Sequence, residues 1–104
     1  MPDAALRALE TVKKQSHGKV ILIAGGEDKN LDFSDLVRAI PSFSNHVIFL
    51  PGRATKKILR MLKQENKEFT TRFTETANSM KNAVQQAAHI AKKGDSILLS
   101  PGAA

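Results

Sequence analysis

KVILIAGGEDKNLDFSDL, residues Lys19 to Leu36, holds a strand, a glycine turn, a charged loop and a helix start in one unbroken run. Val20, Ile21, Leu22, Ile23 and Ala24 are consecutive apolar residues rich in β-branching, as suits a parallel strand covered on both faces. Gly25 and Gly26 end it. Lacking Cβ, they let the backbone take positive φ and let a ligand or a neighbouring segment approach closely. The loop Glu27-Asp28-Lys29-Asn30 follows. Asp32 is then the expected N-cap of a helix running through Phe33, Leu36, Val37 and Ile40, with Asp35 in its first turn favourable to the helix dipole. Pro41 is expected to close that helix.

Before this run, Pro2 and Asp3 suit a helix start, Ala5, Leu6, Leu9 and Val12 share one helical face, and Gly18 makes a stop. After it, Asn45-His46 leads into Val47, Ile48, Phe49 and Leu50, a second buried strand broken by Pro51-Gly52. The period then turns helical: Ala54, Ile58, Met61 and Leu62 form one face, and Arg53, Lys56, Lys57, Arg60 and Lys63 the other. Phe69 to Phe73, rich in Thr and Phe, is read as a third, edge strand. Ser79 caps a helix marked by Met80, Ala83, Val84, Ala87, Ile90 and Ala91, which ends at Lys92-Lys93-Gly94. Asp95 opens the last strand, Ser96 to Leu99, which breaks at Pro101-Gly102.

Strand and helix alternate, so the expected fold is α/β: a three-layer, Rossmann-like domain with a mostly parallel sheet, right-handed crossovers and helices on both faces. The simplest winding gives the strand order 3-2-1-4. In that order the sheet reverses direction between the first strand and the last, and ligands bind such sheets at the carboxyl ends beside the switch point. The Gly25 loop and the Ser100 loop are therefore expected side by side.

At 104 residues the chain is read as one domain, spanning 1–104. Without cysteine it has no disulfide framework and no thiolate metal site, and a reducing cytoplasm is the expected compartment. No apolar run has the length needed to span a membrane. A net charge of +6 permits a polyanionic partner, but Trp and Tyr are absent, which argues against stacking on single-stranded nucleic acid.

Lys29 is the leading candidate for a binding residue, because a flexible ammonium at the carboxyl edge of the sheet can pair with a substrate carboxylate. The plain alternative is a solvated loop lysine. Asp28 and Asp32 read more simply as a turn residue and an N-cap than as ligands or metal groups, and Ser34 as a first-turn helix residue. Gly25-Gly26 lacks the G-x-G-x-x-G spacing of a dinucleotide site, and no G-x-x-x-x-G-K-[ST] occurs, so the chain has no phosphate cradle of the usual kind. His17, His46 and His89 are scattered, with no H-x-x-x-H pair to suggest a metal. His46 reads as capping a strand entrance. Ser100 has no G-x-S-x-G context and reads as a loop residue. The basic helix face can contact phosphates, but it reads first as a solvated face or a contact with another domain.

Two stretches carry a family resemblance. Gly25, Gly26, Asp28, Lys29, Asp32, Phe33, Ser34 and Leu36 fill the pattern GG-x-DK-x-x-DFS-x-L after a hydrophobic strand, and Leu98-Leu99-Ser100-Pro101-Gly102-Ala103-Ala104 reads as LLSP followed by small residues. In both, the chain resembles the C-terminal domain of the Mur ligases, in the branch that adds D-glutamate; the sister branches differ in the first loop. The resemblance favours the same strand order. It implies a complete enzyme of peptidoglycan synthesis that uses ATP and magnesium to form an acyl phosphate on UDP-N-acetylmuramoyl-L-alanine, which the amine of D-glutamate attacks. It implies that Lys29 helps bind D-glutamate, with Gly25, Gly26, Asp28, Ser100, Pro101 and Gly102 in neighbouring loops and no catalytic group in this chain. The P-loop and the acyl-activating residues would belong to a central domain, which with an N-terminal domain would be this chain's partners, and the chain alone would be inactive. The resemblance also places a Thr-Asn segment ahead of Pro2, and beyond Ala104 a serine and a phenylalanine that complete the D-glutamate pocket. Two other classes stay open: a stand-alone α/β anion-binding module and a basic nucleic-acid-binding domain.

Overall fold

The apolar run after Lys19 becomes strand β1 (Val20–Gly25), and all six of its residues are buried. In a computed structural model of the chain, which describes residues 2–27 and 30–101, β1 lies between β2 (His46–Leu50) and β4 (Ser96–Pro101), and the short β3 (Thr74–Thr76) pairs with the outer side of β2. The order is 3-2-1-4 and every pairing is parallel, with Ile23 opposite Ile48 on one side and Leu99 on the other.

Alternation along the strands feeds two apolar layers. Val20, Leu22, Ala24, Val47 and Phe49 point to one face, where α1 (Pro2–Gln15), α2 (Ser34–Phe43) and α3 (Arg53–Glu65) bring Leu9, Phe33, Leu36, Val37, Ile40, Ile58 and Leu62 onto them. Ile21, Ile23, Ile48 and Leu50 point to the other, against Ala83 and Ala87 of α5 (Met80–Ile90). Each large aliphatic or aromatic side chain so buried stabilises by about 1.5–3 kcal/mol. The connections from β1 to β2 and from β2 to β3 run one way along the sheet with their helices on the first face. The connection from β3 to β4 runs back, with its helix on the second, as a single crossover hand demands.

Three local expectations are corrected. Residues 69–73 are not a strand but belong to a helix, α4 (Lys67–Phe73), and β3 begins only at Thr74. The Asn66 side chain caps that helix by accepting from Phe69 N at 3.0 Å, Arg72 reaches back to Glu68, and the Phe69 and Phe73 rings meet at helical spacing, centroids 5.6 Å apart. The Thr70 and Thr74 hydroxyls donate to the carbonyls four residues before them, so β-branching here is absorbed by the helix. Pro41 does not close α2 but sits inside it. Its missing N–H removes one bond near the end, where Ser44 restores order by donating both its amide and its hydroxyl to Ile40 O. Phe33, not Asp32, holds the cap position of α2, yet the Asp32 carboxylate still accepts the Ser34 amide (2.9 Å) and hydroxyl (2.7 Å). Those bonds, with the positive charges of Lys57 and Arg38, outweigh desolvation and hold Asp32 below the usual carboxylate range. Ser79 caps α5 as expected, accepting from Asn82 N at 3.1 Å.

Candidate functional site

Gly25 and Gly26 carry β1 off the sheet at φ 92° and 117°, a region open to glycine and strained for other residues. A Cβ on Gly25 would overlap the Thr55 hydroxyl, and one on Gly52 (φ 147°) would overlap the Gly26 carbonyl. The first turn of α3 can lie directly against the glycine loop only because these positions are bare. Ala54 N donates to Gly26 O at 2.9 Å, Gly26 N donates to Thr55 Oγ1 at 3.2 Å, and the buried Thr55 hydroxyl donates in turn to Leu50 O. Asn30 stands in the left-handed region at φ 59°, which asparagine tolerates better than most residues. Lys57 extends from the second turn of α3 to donate to Leu31 O at 3.1 Å, with its ammonium 5.5 Å from the Phe33 ring centre.

Register brings the second expected segment alongside, but as strand and not loop: β4 runs on past Leu99, and Ser100 and Pro101 are its last two residues. Ser100 is the partner of Ala24 and Pro101 of Gly25 across the β1–β4 pairing, so the glycine turn and the end of β4 share the carboxyl edge of the sheet at the point where strand order reverses. Asp28, Lys29 and Gly102 lie outside the described residues. Arg53, Lys56, Arg60 and Lys63 are exposed along α3, as read from the sequence, but Lys57 is half-buried against the loop rather than solvated with them. Thr55 and Lys57 were not singled out by the sequence. Thr55 stands beside the apolar positions of α3 and Lys57 among its basic ones, and neither pattern marks a partner 26 or 29 residues away.

The amino-terminal end of the sheet holds a cavity of about 530 Å³ between Lys19, Asn45, His46, Phe73 and Asp95. Its polar groups serve the fold. Asn45 and Val20 exchange two bonds of 2.8 Å, and Asp95 accepts the amides of Lys19 and Lys92, which hold it below the usual carboxylate range. His46 Nε2 lies 2.7 Å from Glu75 Oε2, joining the start of β2 to β3. Burial raises the Glu75 pKa, but hydrogen bonds from Gln86 and His46 and the charge on His46 together bring it below its ordinary value. Among the described residues no group of three or more His, Cys, Asp and Glu side chains is placed to hold a metal, and no helix is long and apolar enough to cross a membrane.

Residues 1–102 match the family model described as Mur ligase, glutamate ligase domain. The chain is 39% identical over 103 residues to the UDP-N-acetylmuramoylalanine–D-glutamate ligase of Roseiflexus sp., a match covering 99% of this chain and 21% of that protein. It is 38% identical over 101 residues to the ligase of the same name from Pseudomonas aeruginosa (97% and 21%), and 33% identical over 103 residues to that of Caldanaerobacter subterraneus (99% and 21%). The chain thus spans about a fifth of the length of the curated relatives it matches, 21% in each case. A parallel 3-2-1-4 sheet with the GG-x-DK-x-x-DFS-x-L loop at its switch point agrees with that match, and the chain belongs to the Mur ligase family, as a glutamate ligase domain.

Proposed function

We propose that this chain is the amino-acid-binding domain of an ADP-forming ligase that joins D-glutamate to UDP-N-acetylmuramoyl-L-alanine in the cytoplasm, a step of peptidoglycan synthesis, and that residues 1–104 fold as one unit. The observation that carries this reading is the place of the Gly25 loop, which bears the family motif and leaves the sheet beside the end of β4 at the strand-order reversal. Lys29 pairs with a carboxylate of D-glutamate, and Gly25, Gly26, Asp28, Ser100, Pro101 and Gly102 belong to the segments neighbouring that site.

The role of the chain is to hold and orient the incoming amine. Fixing a nucleophile near its electrophile removes translational and rotational freedom before reaction, so the residues that do this need take no part in proton transfer. The chain's own residues do not fit a nucleotide: the glycine pair lacks the spacing of a phosphate cradle, and the amide and carbonyl of Gly26 are engaged with α3. ATP and magnesium belong to the central domain of the complete enzyme. The isolated chain is accordingly inactive. Phosphate release from ATP by residues 1–104 alone, dependent on UDP-N-acetylmuramoyl-L-alanine and D-glutamate, overturns that assignment.

A further inference from the structure

The loop that carries Lys29 is tied to α3 on both flanks. Ahead of it, Gly26 is held through its carbonyl by the Ala54 amide and through its amide by the Thr55 hydroxyl. Behind it, the Lys57 ammonium holds the Leu31 carbonyl at 3.1 Å and lies over the ring of Phe33, which is itself buried in the core. Only Glu27 to Asn30 lie between these ties, so α3 sets where the two flanks of that short segment stand.

Lys57 is the notable member. Of the five basic residues on α3, four are exposed and Lys57 alone is half-buried. A lysine serving only solubility has no reason to give up water for a carbonyl and an aromatic face, since desolvating an ammonium is costly unless it is hydrogen-bonded. Its charge also lowers the Asp32 pKa, and so favours the ionised carboxylate that holds the first amide of α2.

We infer that Lys57, assisted by Thr55, is a positioning residue for the amino-acid-binding loop, acting on D-glutamate through Lys29 and not by contact; the inference rests on the reading of Lys29 proposed above. Side chains that bind substrate need support that fixes them to within a fraction of an ångström, and the flanks of this loop take theirs from a neighbouring helix.

A double-mutant cycle in the complete ligase carrying this domain tests it. Lys57→Met keeps the aliphatic stem and removes the ammonium. It is expected to raise KM for D-glutamate roughly 5- to 30-fold, with KM for ATP unchanged. Lys57→Arg, which still donates to Leu31 O, recovers most of that loss. In the Lys29→Ala background, Lys57→Met adds nothing further, because there is no ammonium left to aim. Wild-type KM in Lys57→Met, or a loss that multiplies with that of Lys29→Ala, overturns the inference while leaving the reading of Lys29 intact. Normal D-glutamate kinetics in Lys29→Ala instead removes the reading itself, and the inference with it. Thermal melts accompany each variant; should Lys57→Met not fold, Lys57→Leu, which likewise has no donor for Leu31 O, carries the same cycle with the same deciding outcomes.

Discussion

If Lys29 pairs with D-glutamate as proposed, Lys29→Ala in the complete ligase carrying this domain is expected to remove a charge-assisted hydrogen bond worth about 1.5–3 kcal/mol, or about one to two decades in kcat/KM for D-glutamate. The change appears in KM if the contact is equally strong in ground and transition states, and in kcat as well if it aims the amine. Steady-state kinetics with D-glutamate varied checks this, and an unchanged profile places Lys29 among ordinary surface lysines. Thr55, whose hydroxyl both holds the Gly26 end of the loop and bonds the Leu50 carbonyl, is expected to show its loss in stability as well. Thr55→Val is nearly isosteric, but it strips the Gly26 amide and the Leu50 carbonyl of their hydroxyl partner. The expected loss is about 1–3 kcal/mol, read from the denaturant midpoint of the purified chain. Gly25→Ala should destabilise it too, since the added methyl meets the same hydroxyl at a positive φ. At this scale the glycines were legible in advance, because only glycine suits such a turn. Thr55 and Lys57 were not, because their roles depend on carbonyls that only the fold brings near.

Among the elements, α4 shows how a local pattern misleads. Phe69, Thr70, Thr71, Arg72 and Phe73 alternate as an edge strand does, yet Asn66 caps them into a helix whose i, i+4 contacts join Phe69 to Phe73 and Glu68 to Arg72. Both patterns fit five residues; the cap and the packing of Phe69 against the core select one. The α5 face is closed by Ala83 and Ala87, both fully buried between helix and sheet, so a larger side chain has nowhere to go. Ala83→Leu is expected to cost about 1–3 kcal/mol through overpacking, seen as a lower denaturant midpoint, and unchanged stability would mean that α5 packs loosely. On α3 we expect no nucleic-acid footprint from the exposed Arg53, Lys56, Arg60 and Lys63. DNA or RNA titrations across a salt series check this, since binding through phosphates weakens steeply with salt. Micromolar binding at physiological salt that is lost in Lys56→Glu/Arg60→Glu reverses it.

For the molecule as a whole, three carboxylates among the described residues, Asp32, Glu75 and Asp95, have native pKa values below their ordinary ones. Stabilisation of this sign is present above the ordinary carboxylate range, about pH 4, and is lost as pH falls through the lowered native values. Melting temperature should therefore hold near neutrality and drop on acidification. Asp95→Asn should shrink that drop while lowering stability at neutral pH, because Asp95 ties the start of β4 to the amides of Lys19 and Lys92. A drop identical in mutant and wild type would show that Asp95 carries none of it. The sequence by itself determined the architecture. Apolar runs at Val20 and Val47, helical periods between them and glycine turns at their ends leave a parallel, doubly covered sheet as the arrangement that buries those faces, and the loop motif named the family. Tertiary structure alone decided that residues 69–73 coil, that Pro41 stays inside its helix and that Lys57 turns from solvent to the site loop. Each of these depends on partners distant in sequence or on a backbone bond made elsewhere, and periodicity along a chain records which face a residue takes, not what waits there.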